Sequence, residues 1–463
     1  MAETVKTQVV IVGAGLTGLT MAFYLKKAGI DFRIIEKSGK TGGVIQTVST
    51  NGFVYETGPN TGVVSSPEMA ELFEDLGEKC KLETADPSAK RRLIWKKGKW
   101  HALPSGLMSA VGTPLFSWYD KFRILGEPFR KKGTNPDENL ADLVKRRMGK
   151  SYLNYAIDPF ISGIYAGNPK ELVTRYALPK LYQLEQDYGS FIKGGIKKAR
   201  LPKDERTKKA TKEVFSAQGG LNNMIQALTE AVGTENIILN AQETLVRPTD
   251  AGFHIQVTTD DQIIGIETAK LVTTSGAYTL ENLLPFLTKE ELVPFQQLKY
   301  AAVTQVLLGF KNWEGMSLKA FGGLVPGIEN KNILGVLFTS SFFEGRAPRG
   351  GALLSVFMGG TKRPDIFAMN DEQIQKVLAK ELPGMLGINQ LKPDVMQICR
   401  YPKAIPQYQA STGQRYEMIE QLQKKYSGLI LAGNIRDGIG MSDRVKQGRV
   451  IAEELAKSIK RKD

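Results

Sequence analysis

Apolar and polar positions follow two rhythms along this chain. Near its start an apolar run, Gln8-Val9-Val10-Ile11-Val12, is followed by apolar positions at Leu16, Leu19, Phe23 and Leu25, and a second apolar run closes at Glu36. The first rhythm is that of a buried strand and the second that of a helix lying on a sheet, so the segment predicts a βαβ unit. The same signature returns at the other end of the chain. There Leu431-Ala432-Gly433-Asn434 reads as a strand, Gly438-Ile439-Gly440-Met441-Ser442-Asp443 as a glycine loop, and Val445, Ile451, Ala452, Leu455 and Ile459 as a helix. Between the ends, Gln218-Gly219-Gly220-Leu221 leads into a helix through Met224, Leu228 and Ala231. Ile237-Ile238-Leu239, Phe253–Val257 and Lys270–Thr274 read as strands. The runs Val303–Phe310 and Leu353–Met358 suggest antiparallel pairing in a second domain.

These patterns predict an α/β protein of three parts. A discontinuous Rossmann-like nucleotide-binding domain takes residues 1–85, 213–275 and 420–463. Residues 276–419 form a mixed-sheet substrate domain, and residues 86–212 a mainly helical subdomain. At 463 residues the chain is long enough to bury several cores. Net charge sharpens the picture, because it is +14 overall while residues 90–213 hold 27 Lys and Arg against 12 Asp and Glu. All the positive excess therefore lies in the helical segment. That segment also opens with Leu103, Leu107, Met108, Val111, Leu115, Phe116, Trp118, Phe122, Leu125 and Phe129, flanked by Arg130, Lys131 and Lys132. Two readings stay open: a surface that docks on a membrane, or a subdomain packed on its own core with a solvated basic face. Nucleic acid is not expected as a partner, since the basic residues alternate with bulky apolar ones. No apolar stretch of about 18 residues exists to span a bilayer, and no secretory leader is expected ahead of the first strand. Two cysteines, Cys80 and Cys399, and two histidines, His101 and His254, predict a reducing, cytoplasmic compartment and no metal site.

The chemistry begins at Gly13-Ala14-Gly15-Leu16-Thr17-Gly18. Glycines there permit a tight turn and close backbone approach to a pyrophosphate, and the following helix points its free N–H groups at the phosphates. Glu36, 18 positions past Gly18, is placed to accept hydrogen bonds from a ribose. Lys37 and the glycine pair Gly42-Gly43 follow within a turn or two, as the extended ribityl chain of FAD requires. At the other chain end Gly433, Asn434, Gly438, Gly440, Met441 and Ser442 would bring a helix N-terminus to the flavin, where its partial positive charge favours the reduced ring. FAD is therefore the expected cofactor.

Several internal runs resemble the protoporphyrinogen oxidase family, which also includes coproporphyrinogen III oxidases. The sharpest is Ile157-Asp158-Pro159-Phe160-Ile161-Ser162-Gly163-Ile164-Tyr165-Ala166-Gly167-Asn168-Pro169, and others are His101–Leu107, Arg346-Ala347-Pro348 and Tyr401–Tyr408. The resemblance implies FAD-dependent oxidation of a porphyrinogen to a porphyrin by removal of six electrons, with molecular oxygen as acceptor. It implies a propionate-binding arginine at Arg92, a backbone carbonyl facing the pyrroles at Gly163, and walls at Leu324, Leu337 and Phe357. Arg91 could exchange roles with Arg92. No catalytic side chain is assigned, because hydride passes to flavin N5. The turn Gly58-Pro59-Asn60 should approach the cofactor, with Asn60 where some members carry an arginine. Protoporphyrinogen IX is slightly favoured over coproporphyrinogen III, and a flavin amine oxidase or carotenoid desaturase is the rival on the same scaffold. A relic flavin fold that binds nucleic acid is the remaining alternative. Peripheral contact with the cytoplasmic face of a membrane would suit the greasy substrate.

Overall fold

The computed structural model describes residues 4–202 and 204–461; Met1–Glu3, on which the expectation of no leader rested, lie outside the described residues. Two seven-stranded sheets organise the chain. In the first, Thr4–Val12 lies between Phe32–Ile35 and Ile263–Thr273, parallel to both. Ile237–Ile238 extends the parallel side, and Leu429–Leu431 pairs in parallel with Ile263–Thr273. The hairpin Glu243–Thr249 and Gly252–Thr258 completes the sheet in antiparallel fashion. Val9, Val10 and Ile11 are all fully buried, which explains why this strand reads as an unbroken apolar run: both faces are covered. Helices Leu16–Lys27, Leu221–Val232 and Met441–Lys460 bury one face. Leu280, Leu292, Phe295, Ile419 and Leu422 bury the other. Residues 280–298 thus pack on the first sheet, although the sequence pattern grouped them with the second.

The second sheet runs in the order Val395–Pro406, Tyr300–Phe310, Ala352–Gly359, Ile333–Leu337, Gly322–Leu324, Arg92–Lys96 and Lys99–Ala102. Every neighbouring pair is antiparallel except Gly322–Leu324 with Arg92–Lys96, so the sheet is mixed. Its last two strands come from the segment expected to be mainly helical. Lys97 and Gly98 both have positive φ, 50° and 78°, and close the hairpin as a two-residue turn that matches strand twist. One face of this sheet packs Leu93, Trp95, Val306, Leu308, Val336, Leu354 and Val356 against the helix Asp371–Leu386. On the other face, Leu307 and Leu353 pack against Phe53 and Tyr55 of the hairpin formed by Thr47–Thr50 and Phe53–Glu56.

The rest of the basic segment is helical and carries its own core of Leu140, Leu143, Val144, Leu153, Ile161, Tyr165 and Leu172. Beneath it lies an ion network. Arg147 and Glu127, both fully buried, pair with each other, Arg147 Nη1 stands 3.1 Å from Glu185 Oε1, and Ser190 Oγ donates to Glu127. Burial pushes the Glu127 and Glu185 carboxyls up, but hydrogen bonds and the arginine charges outweigh it and hold both below the usual carboxylate range. Outside this core, Met108, Val111, Trp118, Tyr119, Phe122, Leu125 and Phe129 are exposed. None of the described helices is long and apolar enough to cross a membrane.

Candidate functional site

The two chain ends meet where the sequence pattern brings them. Thr273 and Thr274 join them: Thr274 N–H donates to Val12 O at 2.9 Å and its hydroxyl to the same oxygen at 3.1 Å, while Thr273 O accepts from Ala432 N at 2.8 Å. Gly13 turns the chain at φ +109°, and a methyl placed on it would stand 2.5 Å from Thr274 Oγ1. A methyl on Gly18 would stand 2.0 Å from Gly13 O, so the first helical turn lies directly on the glycine turn. Above Gly15, by contrast, nothing comes within 4 Å. Two glycines seal the turn and the third leaves open space, the cradle a pyrophosphate needs.

Glu36 stands at the strand end with Ala14 N donating to its Oε2 at 2.8 Å and Ser38 N and Oγ donating to its Oε1. A carboxylate has about four acceptor positions, so capacity for ribose hydroxyls remains. Lys37 beside it is exposed. Gly42 N donates to Ala14 O at 2.8 Å, and Gly43 faces the Gly15 backbone. Leu16 and Thr17 are buried in the first helical turn.

At the other end Gly433, φ +85°, donates its N–H to Gln447 Oε1 at 2.8 Å, and Gly438 N donates to the Tyr408 hydroxyl at 3.0 Å. Gly440 N donates to Asp443 Oδ2, which caps the helix that Met441 and Ser442 begin; both of these are buried. Ser442 Oγ donates to Val63 O, fastening that helix to the strand after the Gly58 turn. Two buried side-chain oxygens here accept no hydrogen bond: Asn434 Oδ1 and Asn60 Oδ1. Buried polar atoms in folded proteins are ordinarily paired, so these orphans fit a polar ligand between the chain ends.

The turn Gly58-Pro59-Asn60 is tied to the second sheet by one residue the sequence reading passed over. Gln305 is fully buried; its Oε1 accepts from Gly58 N at 3.1 Å, and its Nε2 donates to Glu56 O and Ser355 Oγ, each at 3.0 Å. A lone amide inside the apolar run Val303–Phe310 was the available signal, since a buried amide demands partners. Beneath the turn, burial pushes the Glu56 carboxyl up despite hydrogen bonds from Leu221 N and Thr47 and the charge of Arg346.

Gln305 also opens the second half of the site. Cross-strand partners share a face of a sheet. Gln305 pairs with Phe357, Phe357 with Gly335, and Gly335 with Leu324. Two residues along, Ser355 pairs with Leu337, Leu337 with Gly322, and Gly322 with Arg92. Leu324, Leu337, Phe357 and Arg92 therefore lie on one face with Gln305, the face opposite the apolar core. All three wall residues are half-buried, while Arg92 is exposed with its guanidinium 5.8 Å from the Phe321 ring centre. Arg91 precedes the strand, outside its register, and is exposed. Gly163 meets the wall from the helix Asp158–Tyr165: a methyl on it would stand 2.5 Å from Leu324 Cδ2. A cleft of about 470 Å³ opens beside the cradle between Gly43–Val44 and the outer strand's Gln397, Cys399 and Tyr401; none of the wall residues lines it.

A glycine cradle closed by both chain ends, and tied through Gln305 to the sheet face that carries Leu324, Leu337 and Phe357, is the arrangement of a flavin-dependent oxidoreductase. The chain belongs to the family of flavin containing amine oxidoreductases, whose profile matches residues 16–456. Among curated relatives, protoporphyrinogen oxidase 2 of Arabidopsis thaliana is 28% identical over 473 residues, covering 95% of this chain and 92% of its own. Coproporphyrinogen III oxidase of Bacillus subtilis (strain 168) is 26% identical over 474 residues, covering 97% and 98%. A solved chain from Exiguobacterium sp. 255-15 superimposes with a TM-score of 0.81 at 23% identity, covering 98% of this chain and 99% of that one.

Proposed function

We propose that the protein oxidises a porphyrinogen to the corresponding porphyrin with bound FAD. The observation that carries this reading is the single sheet face shared by Arg92, Leu324, Leu337 and Phe357, joined through Gln305 to the Gly58 turn. The names of the relatives from Arabidopsis and Bacillus favour a porphyrinogen over an amine or a carotenoid. FAD would be held by Gly13–Gly18, Glu36, Gly42, Gly43, Gly58–Asn60, Gly433, Asn434 and the start of helix Met441–Lys460. When bound, it supplies a two-electron acceptor for each of three steps, with molecular oxygen taking the electrons onward. The protein's share is to orient and desolvate a flat, greasy macrocycle. Leu324, Leu337 and Phe357 form its wall, and the Gly163 carbonyl faces its pyrroles. Arg92 holds a propionate, for which a guanidinium offers two parallel hydrogen bonds.

Between the two porphyrinogens we favour protoporphyrinogen IX. Turnover of each, prepared anaerobically and followed by porphyrin fluorescence, decides the matter, with a polyamine as the third arm. A higher kcat/KM for coproporphyrinogen III would reverse the substrate choice, and oxidation of the amine alone would replace the reading. We also propose that the cytoplasmic protein docks peripherally on membrane. Met108 and Phe129, 88% and 86% exposed, lie with Trp118, Phe122 and Leu125 in the segment that holds the excess positive charge, the pairing that binds anionic bilayers.

A further inference from the structure

The helix that carries Gly163 is held by contacts that neither the cradle nor the wall explains. A π-helical turn, Leu153–Ile157, leads into Asp158–Tyr165. Pro159 has no N–H to close a regular turn, and the wider turn absorbs the missing bond. The helix continues unbroken from that turn, Ile157 being itself helical. Contacts reach it from the loop after strand Ala352–Gly359 and from the turn after Gly322–Leu324. Lys362 Nζ pairs with Asp158 and donates to Ser162 Oγ at 2.9 Å, while Asp158 Oδ2 accepts from Gly327 N at 2.8 Å. Thr361 N donates to Ala166 O at 2.8 Å, just past the helix. Gly359 and Gly360, φ +92° and +77°, bring the loop so near that a methyl on Gly360 would stand 2.5 Å from Ala166 O.

Asp158 and Ser162 are one turn apart and share the face turned to Lys362. Gly163, the next residue, sits at the contact with Leu324. The pair is largely withdrawn from solvent, with side-chain exposures of 24% for Lys362 and 15% for Asp158. Removing one partner strands the other charge in a poorly hydrated place, which moves the helix or admits water.

We propose that Lys362 is a positioning residue: through Asp158 and Ser162 it fixes the spacing between the Gly163 backbone and the Leu324 wall, and so the fit of the macrocycle. The proposal rests on the porphyrinogen reading above. Lys362→Met should raise KM for the porphyrinogen by about fivefold to tenfold, with kcat within about twofold and flavin content unchanged. Lys362→Arg, which keeps the cation, should restore KM. Asp158→Asn provides a second route to the same loss should the methionine variant fold poorly, and the double variant should raise KM no further than either single one. Unchanged KM in both single variants, or a Lys362→Arg enzyme as impaired as Lys362→Met, overturns the proposal. Hydrogen exchange of the flavin-loaded protein separates this from the parent reading. Amides of residues 160–166 should exchange faster in Lys362→Met than in wild type, whatever the substrate proves to be. Wild-type exchange rates there would overturn the clamp, whereas wild-type enzyme inert toward both porphyrinogens would overturn the parent reading.

Discussion

Replacing Gln305 with leucine tests the joint between the two halves of the site. Leucine keeps most of the volume but removes three hydrogen bonds, at 3.1, 3.0 and 3.0 Å, from a fully buried position. Gly58 N–H, in a part-buried turn, and the buried Glu56 C=O both lose that partner. At about 1–3 kcal/mol for each of these two groups, the loss amounts to roughly 2–6 kcal/mol, toward the lower end because Gly58 is only part-buried. Because the stranded groups belong to the Gly58 turn, part of this should appear as weaker flavin retention. The assay is urea unfolding of the flavin-loaded protein, paired with visible flavin absorbance after gel filtration. Gln397→Leu, exposed on the same face of the outer strand, is the control and should change stability by less than about 0.5 kcal/mol. If Gln305→Leu proves as stable and as yellow as the control, the joint has no energetic role and the reasoning fails.

Other outcomes follow from the same geometry. Gly18→Ala should abolish flavin retention, since its methyl would lie 2.0 Å from Gly13 O, and a fully yellow variant would contradict the cradle. Arg92→Ala should raise KM more than it lowers kcat, because a propionate contact acts on ground and transition states alike; unchanged kinetics would move that contact elsewhere. Glu127 and Glu185 are held below their usual range when folded, so their contribution is complete above the ordinary carboxylate pKa and fades as pH falls through the folded value. Glu127→Gln should cost about 3–5 kcal/mol near neutral pH and flatten that acid transition, and matching acid titrations by circular dichroism would refute the assignment. Phe122→Asp with Phe129→Asp should abolish sedimentation with anionic vesicles while leaving turnover in detergent intact; undiminished binding would remove the docking surface.

The nucleotide half was legible because local chemistry dictates it. The Gly13–Gly18 turn, the acid at Glu36 and the closing helix each leave a mark within a few residues. The second sheet was legible only in its long strands, such as Tyr300–Phe310 and Ala352–Gly359. Its edge hairpin, Arg92–Ala102, was hidden by lysines and arginines that an edge strand accepts because one side meets solvent. Alternation in that hairpin then separates Arg92 from Arg91, which the sequence could not. Gln305 shows only as an amide in an apolar run and Lys362 not at all, because their partners are 247 and 204 residues away in the chain, at Gly58 and Asp158. Long-range polar pairs leave no periodic trace.

Helix Met441–Lys460 packs so closely on Leu16–Lys27 that a methyl on Gly448 would stand 2.6 Å from Thr17 O. The Gly13–Gly18 turn is thus completed by a helix more than four hundred residues further along the chain. Domains generally fold as units during synthesis, and this one is incomplete until residues 441–460 have been made. Until then the side of helix Leu16–Lys27 that receives Gly448 lies open to water, so the cradle's own first helix is the element left unsupported.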